Sequence, residues 1–286
     1  MALLITGAAG YVGSHILQAL PEELKKDCLT PSIEKMDLSD YNSVRRYFEC
    51  NNITKVLHLA AMIDNSAKRE LLLFNLTALY NLAKLSVEFG VRHFVMASTN
   101  NVYGVRENTI PINEEESRNP YFGNDYGLTK YLGELLVEDI FKGSETKYAV
   151  LRIGDIYGPN QKASALIKGV VSNIENHLPQ KLYGKGERVR DYIYIDDVAK
   201  GFVHALLNEL TGFYNLGTGV GTNVKQIVSI AESISYCKDA TVLVDVEKED
   251  TSKVVLDVSK LQATGFHTEV CFEEGLKRII KERSKQ

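Results

Sequence analysis

Cysteine is scarce in this chain of 286 residues: Cys28, Cys50, Cys237 and Cys271 stand at least 22 residues apart. That spacing excludes a Cys-x-x-Cys redox pair and a dense disulfide framework, and reduced thiols in a cytoplasmic protein are the simplest expectation. The six histidines are scattered, without His-Glu-x-x-His or similar ligand spacing, so no metal site is expected. No basic block is present either. With 33 Lys and Arg against 37 Asp and Glu, a net charge of −4, nothing neutralises a run of phosphates, and nucleic acid is excluded as an expected partner. No apolar run approaches the ~20 residues of a membrane span. The opening "MALLITGAAG" lacks the basic leader and cleavage site of a signal peptide and reads as a strand. Repeats, low-complexity tracts and a Pro- or Ser-rich linker are missing as well.

What is present is alternation. Up to about residue 155, short apolar runs alternate with helical periodicity, the pattern of β-α-β units around a parallel sheet. "ALLIT" (2 to 6), "KVLHLA" (55 to 60), "HFVMAS" (93 to 98) and "YAVLRI" (148 to 153) carry few charges, as strands covered on both faces do. "SDYNSVRRYFE" puts Val44, Tyr47 and Phe48 on one helical face behind Ser39 or Asp40 as cap. Longer helices are expected over about 66 to 89 and 126 to 142, and a short second strand near "DCLT". After Pro159 the alternation becomes irregular, with helical patterns near 162 to 175, 197 to 208 and 223 to 235. Residues 1–155 are therefore expected to form one domain and 156–286 mainly a smaller lobe, with the chain crossing between them more than once.

Directly after the first strand, "TGAAGYVGSHI" places Gly7, Gly10 and Gly13 in the spacing G-x-x-G-x-x-G at the opening of a helix. The first glycine permits a tight turn, the second backbone approach to a pyrophosphate, the third close packing of helix on strand. A Gly-rich turn without a ligand is the plain alternative. Asp37 in "MDLSD" suits an adenine amino group or a helix cap, and Ala60 and Ala61 in "HLAAM" leave room for a cofactor backbone. "LTPS" follows the second strand in place of an acidic residue for the ribose hydroxyl, so NAD or NADP stays open.

"YGLTK" sets Tyr126 and Lys130 one helical turn apart. An ammonium beside a phenol favours the phenolate, which lowers the phenol pKa and lets tyrosine act as acid or base on a hydroxyl or carbonyl. Thr99, at the end of a strand in "ASTNNVYG", would donate a hydrogen bond to the same oxygen as charge develops there.

"TGAAGYVGSHI", "DLSD", "HLAA", "ASTNNVYG", "YGLTK", "LRIGDIYGP", "RVRDYIYIDDVA" and "YNLGTG" stand in the order of the extended short-chain dehydrogenase/reductases, and the chain resembles their nucleotide-sugar epimerase and dehydratase branch from Leu3 to about Leu276. The resemblance implies an α/β fold with a Rossmann-type doubly wound parallel sheet and a smaller C-terminal substrate-binding lobe. It implies NAD or NADP as cofactor, a nucleotide-diphospho-sugar as substrate, and a homodimer built on the helices near 66 to 89 and 126 to 142. It assigns catalysis to Thr99, Tyr126 and Lys130. It assigns the cofactor to Gly7, Gly10, Tyr11, Val12, Gly13, Asp37, Leu38, Leu59, Ala60, Ala61, Asn75, Tyr126 and Lys130, and the substrate to Thr99, Asn100, Asp155 and Arg190. Asn75 also fits a buried structural role, and Arg190 a surface ion pair with Asp191 or Glu187. Asp196 and Asp197 read as helix caps, and Tyr103 as packing beneath the site.

The sequence departs from the branch at three places. Asp155 stands where many relatives have Asn, and Glu247 at a phosphate-binding Arg, with Lys248 as the available substitute. Asn100 and Asn101 stand where dehydratases carry two carboxylates; amides do not titrate near neutral pH, so elimination of water is disfavoured. A nucleotide-sugar epimerase, redox-cycling at a sugar carbinol such as C4 with Tyr126 as acid and base, is the first expectation. A reductase of a 4-keto nucleotide-sugar is the second, and a non-catalytic NAD(P)-binding regulator the third.

Overall fold

A computed structural model describes residues 2–63, 68–104, 111–116, 125–161, 165–234 and 241–283; Cys237 lies outside them. In chain order the first half runs β1 (Ala2–Thr6), α1 (Tyr11–Ala19), α2 (Glu22–Lys26), β2 (Cys28–Leu29), α3 (Tyr41–Glu49), β3 (Ile53–His58), α4 (Lys68–Glu88), β4 (His93–Thr99), α5 (Asp125–Phe141) and β5 (Lys147–Ile153). The rest runs β6 (Asp155–Tyr157), α6 (Ala165–Glu175), β7 (Lys181–Tyr183), β8 (Val189–Tyr194), α7 (Ile195–Leu207), β9 (Gly212–Leu216) and β10 (Gly221–Asn223). It ends with α8 (Val224–Ile234), β11 (Val242–Val244), β12 (Lys253–Val254), α9 (Ser259–Gln262) and α10 (Phe272–Arg283).

The main sheet has the order β2-β1-β3-β4-β5-β9, with parallel pairing throughout from β2 to β5. Its strands are apolar because both faces are covered: Leu4, Ile5, Val56, Leu57, Phe94, Val95, Val150 and Leu151 are fully buried. One face receives α4 and α5, whose Leu79, Leu82, Val137 and Phe141 pack on Val56, Phe94, Met96 and Val150. Gly133 lets α5 approach closely, since a Cβ there would lie 3.0 Å from Leu79 and 3.1 Å from Met96. The chain passes outward from β1 to β2 and then crosses to β3. The carboxyl ends of β1 and β3 therefore flank the point where strand order reverses, the usual ligand position in such sheets.

Packing divides the chain into two compact units, Met1–Gly104 with Glu114–Ile153 and Ala199–Asn215, and Val105–Asn113 with Gly154–Val198 and Leu216–Gln286. The first holds the main sheet up to Asn215. In the second, β8 lies between β10 and β12 and also pairs β6, while β7 pairs β11.

The second unit is organised around Asp191 of β8, fully buried. Its carboxylate accepts from the Thr218 amide at 2.8 Å, the Thr218 hydroxyl at 2.6 Å, the Gly219 amide at 3.0 Å and the Leu256 amide at 3.3 Å. A Cβ on Gly217 would fall 2.6 Å from that carboxylate, which is why glycine stands there. Asp191→Ala leaves the buried Leu256 amide and the part-buried Thr218 and Gly219 donors without their acceptor and should lower stability by on the order of 3 kcal/mol, read from urea unfolding; a change under about 1 kcal/mol would contradict this account of the unit.

Candidate active site

The glycine turn has the form its spacing predicts. Gly7 sits at φ +73°, and a Cβ on it would lie 2.6 Å from the Ala60 amide nitrogen, so β1 and the end of β3 meet here through backbone alone. The Gly10 amide donates to the Gly7 carbonyl at 3.0 Å and closes the turn. On Gly13 a Cβ would fall 2.4 Å from the Gly7 carbonyl oxygen. Gly10 caps α1 without any side chain accepting from the first-turn amides. A helix start with glycine at its cap and no side-chain cap fits a dinucleotide pyrophosphate. Tyr11 and Val12 are half-buried at that start, as are Ala60 and Ala61 after β3. The Leu59 amide donates to Thr6 at 3.1 Å.

Asp37 is half-buried, and its carboxylate accepts from the Ser39 amide at 2.8 Å and the Ser39 hydroxyl at 2.7 Å, which holds it below the ordinary carboxylate pKa. It caps its own turn; Asp40 caps α3, accepting from the Asn42 amide at 2.9 Å. Leu38 is buried, and its carbonyl accepts from Asn81 at 2.9 Å. Asn75 spends both ends of its amide on Met62, accepting from the backbone N–H at 2.8 Å and donating to the carbonyl at 3.0 Å. It holds the segment after β3 in place.

Thr99 ends β4, and its hydroxyl caps the 3-10 turn Asn100–Tyr103, accepting from the Asn101 amide at 3.3 Å and donating to Asn100 Oδ1 at 3.3 Å. Both bonds are long and readily exchanged for a shorter one. Asn100 is buried, Asn101 exposed. Lys130 is buried, and its ammonium donates to the Ala97 carbonyl at 2.8 Å while lying 5.7 Å from the centroid of the Tyr126 ring. The expected lowering of the Tyr126 pKa is not found. Packing around this partly exposed side chain pushes the phenol up to about 12, because Lys130 is directed at a backbone carbonyl and the ring face. Burial also pulls Lys130 down to about 8, against the pull of Glu134 that favours its charge. Beside them His58 bonds Thr6 at 2.8 Å and, buried, is pushed down to about 3, so it stays neutral.

Below Thr99 lies a dry ionic network that no motif announced. Arg152 of β5 meets Glu134 of α5 through Nε at 3.1 Å and Nη2 at 2.9 Å. Ser98 donates to Glu134 at 2.6 Å, and Arg152 to the Tyr103 hydroxyl at 2.9 Å and the Glu114 carbonyl at 3.0 Å. Tyr103, fully buried, donates to Asn215 at 2.7 Å. Hence it packs beneath the site as expected, and burial lifts its phenol to about 12.

In the second unit, Arg190 donates to the Val189 carbonyl at 2.8 Å, the Ser252 carbonyl at 2.9 Å and the Ser252 hydroxyl at 2.8 Å. Its ion-pair partners are Asp155 and Asp250, both at 3.7 Å, in place of the Asp191 or Glu187 that the sequence suggested. Asp197 is not a cap: its carboxylate accepts from the Glu269 amide at 3.1 Å and the Val270 amide at 2.9 Å.

The model of the NAD dependent epimerase/dehydratase family matches residues 3–217. The chain belongs to that family. As a member it stands in the extended short-chain dehydrogenase/reductase superfamily, with an α/β, Rossmann-type fold. It is 30% identical to the UDP-glucose 4-epimerase of Caenorhabditis elegans over 96% of this chain and 95% of that one. It is similar to the crystal structure of UDP-glucose 4-epimerase with UDP-glucose from Thermotoga maritima (28% identity, TM-score 0.84, 100% and 99% of the two chains). The Thermus thermophilus UDP-glucose 4-epimerase complex with NAD is similar too (27% identity, TM-score 0.80, 98% of each).

Within this family member, sequence reasoning missed Glu134, Arg152 and His58. The one available signal was Glu134 four residues after Lys130 on an otherwise apolar helix face. Lys130 supplies a test of the site's electrostatics. Its pKa is about 8 folded and ordinarily 10.5, so below pH 8 both states hold the proton and folding bears the full burial penalty, on the order of 3 kcal/mol. Between 8 and 10.5 only the unfolded chain keeps the proton, and the penalty fades. Lys130→Met should therefore raise the unfolding free energy by on the order of 2–3 kcal/mol at pH 7 and by much less near pH 10. Urea unfolding at both pH values checks it, and equal effects at the two would refute it.

Proposed function

We propose that this chain is an NAD(P)-dependent nucleotide-sugar 4-epimerase, acting on a UDP-sugar, with Tyr126 as acid and base and Lys130 and Thr99 as its partners. The observation that carries the reading is that Lys130 lies against the Tyr126 ring and binds the Ala97 carbonyl of β4, the strand that ends in Thr99, with amides at positions 100 and 101. Epimerisation at a carbinol needs one group to take and return one proton, and Tyr126 is that group. When bound, NAD(P) supplies hydride acceptance and return and, oxidised, a positive charge. Lys130 adds a second positive charge, and both act against the burial that raises the Tyr126 phenol. Thr99 reorients its hydroxyl from Asn100 to the reacting oxygen and stabilises charge there.

The glycine turn, Asp37, Leu38, Leu59, Ala60 and Ala61 are assigned to the cofactor, with Asn75 fixing the segment beside it. Arg190 is assigned to the diphosphate and Asn100 to the sugar. Asp155, paired with Arg190, is assigned to substrate hydroxyls. Spaced, unpaired cysteines support a cytoplasmic setting: Cys28, Cys50 and Cys271 are free thiols, and among the described residues no helix is long and apolar enough to cross a membrane. A homodimer through α4 and α5 is supported by their outer face, where Leu73, Tyr80 and Leu135 are exposed beside a groove lined by Leu76, Thr77, Leu132 and Leu136.

Incubation of the purified protein and NAD(P) with a panel of nucleotide-sugars, followed by NMR, should show C4 inversion without net loss of nicotinamide. Stoichiometric consumption of NAD(P)H with a 4-keto sugar would replace this reading by that of a reductase. Tyr126→Phe should lower turnover by about 100-fold or more with the cofactor still bound; unchanged turnover would remove Tyr126 from the mechanism, and no turnover in any protein would favour a regulator. Leu76→Glu with Leu132→Glu should halve the mass measured by light scattering, and an unaltered mass would exclude this face as the dimer contact.

A further inference from the structure

We propose that Glu134, clamped by Arg152 and Ser98, is a positioning residue that keeps Lys130 charged and aimed at the end of β4. The inference rests on reading Tyr126 and Lys130 as the acid-base pair. Lys130 and Glu134 lie four residues apart on α5, on one face, and grip consecutive residues of β4: Lys130 the Ala97 carbonyl at 2.8 Å, Glu134 the Ser98 hydroxyl at 2.6 Å. Ser98 and Arg152 are direct partners across β4 and β5, so both reach Glu134 from the same side of the sheet. The carboxylate is itself fixed by a two-point guanidinium contact, with Arg152 stacked on the rings of Tyr103 at 5.0 Å and Phe213 at 4.8 Å. Its place one helical turn from Lys130 is thereby fixed.

The titratable and charged groups facing Lys130 among the described residues are few. Tyr126 and Glu134 come from α5 and His58 from β3; β4 presents the Ala97 carbonyl, and β5 brings Arg152 to the far side of the Glu134 carboxylate. His58 is neutral at physiological pH and Tyr126 is protonated, so Glu134 is the anion that opposes the desolvation of Lys130. At an effective dielectric of about 20 and the roughly 6 Å typical of residues four apart on one helix face, one carboxylate changes a neighbour's proton affinity by well over tenfold. That factor decides whether Lys130 is charged at neutral pH, because burial alone disfavours the ammonium in a site this dry.

The test is a pH titration of the Lys130 side-chain 13Cε resonance in the full-length chain, labelled with [13C]lysine and assigned by its loss in Lys130→Arg. Wild type should titrate near or above pH 8. Glu134→Gln should lower the proton affinity of Lys130 about tenfold or more, and Glu134→Gln combined with Arg152→Met should lower it in the same direction by less, since a cation leaves with the anion. The double variant strands no guanidinium in the core and decides the matter should the single one fail to fold. Ser98→Ala, which removes a hydrogen bond and no charge, should leave the midpoint in place. Lys130 neutral at pH 7 in the wild type, an unmoved midpoint in the double variant, or an equal shift from Ser98→Ala would each overturn the proposal. Turnover on the nucleotide-sugar panel is scored separately. Loss of charge on Lys130 in an active enzyme should move the alkaline limb of turnover to lower pH, whereas a shifted midpoint with no turnover in any protein counts against the epimerase reading and leaves the role of Glu134 standing.

Discussion

A guanidinium and a carboxylate without water have to find each other, and in the first unit Arg152 and Glu134 do so between β5 and α5. Both are essentially inaccessible to solvent. Removing one partner of such a pair typically costs about 3–5 kcal/mol, a large share of the stability of an ordinary domain. The pair gives little net stability over a well-packed apolar alternative, but it is directional, and direction is what the site uses. It fixes α5 against the ends of β4 and β5 and sets Ser98 and Tyr103. Through Glu114 it also reaches Asn215, whose backbone amide donates to the Glu114 carboxylate at 2.7 Å. Thr99 and Lys130 are thus mounted on elements that this pair ties together.

That rigidity has an electrostatic consequence. Burial drives a phenol and an ammonium the same way, toward their neutral forms, so Tyr126 rises to about 12 while Lys130 falls to about 8. Neither displacement helps a proton to leave Tyr126 at neutral pH. Added positive charge close to the phenol would, and in the proposed mechanism Lys130, 5.7 Å from the centroid of the Tyr126 ring, supplies it together with the oxidised cofactor as long as it stays protonated. The balance at Lys130, burial against one helical neighbour, is therefore the sensitive quantity of that mechanism.

The sequence made visible what depends on local spacing. The apolar runs became β1, β3, β4 and β5, shifted by two residues or fewer at each end, and even the faint "DCLT" reading corresponds to the two-residue β2. The glycine spacing foretold the tight turn at Gly7 and the close packing at Gly13, because both depend on residues a few positions apart. Long-range polar contacts were invisible. Arg152 lies inside an apolar strand pattern and meets Glu134 eighteen positions earlier; no periodicity encodes such a partner. Asp197 looked like a cap from its place at the start of α7, yet its carboxylate serves amides more than seventy positions away. Asp155, noted in the sequence only as standing where many relatives have Asn, pairs with Arg190, 35 positions on.

The amides of "ASTNNVYG" take their meaning from the same electrostatics. Asn100 is buried, and its oxygen receives the Thr99 proton, a task a carboxylate would perform at least as well. The difference is charge. The turn bearing Asn100 packs against α5, the helix that carries Tyr126 and Lys130. An anion there would raise the phenol still further and compete with Glu134 for the influence of Lys130, each by an amount that at an effective dielectric of about 20 is worth several kcal/mol at contact distance. A neutral acceptor orients Thr99 without that penalty. An enzyme that needs a second acid and base accepts the extra negative charge in exchange for the chemistry; one that needs a single phenolate does better without it, and this chain carries the amide.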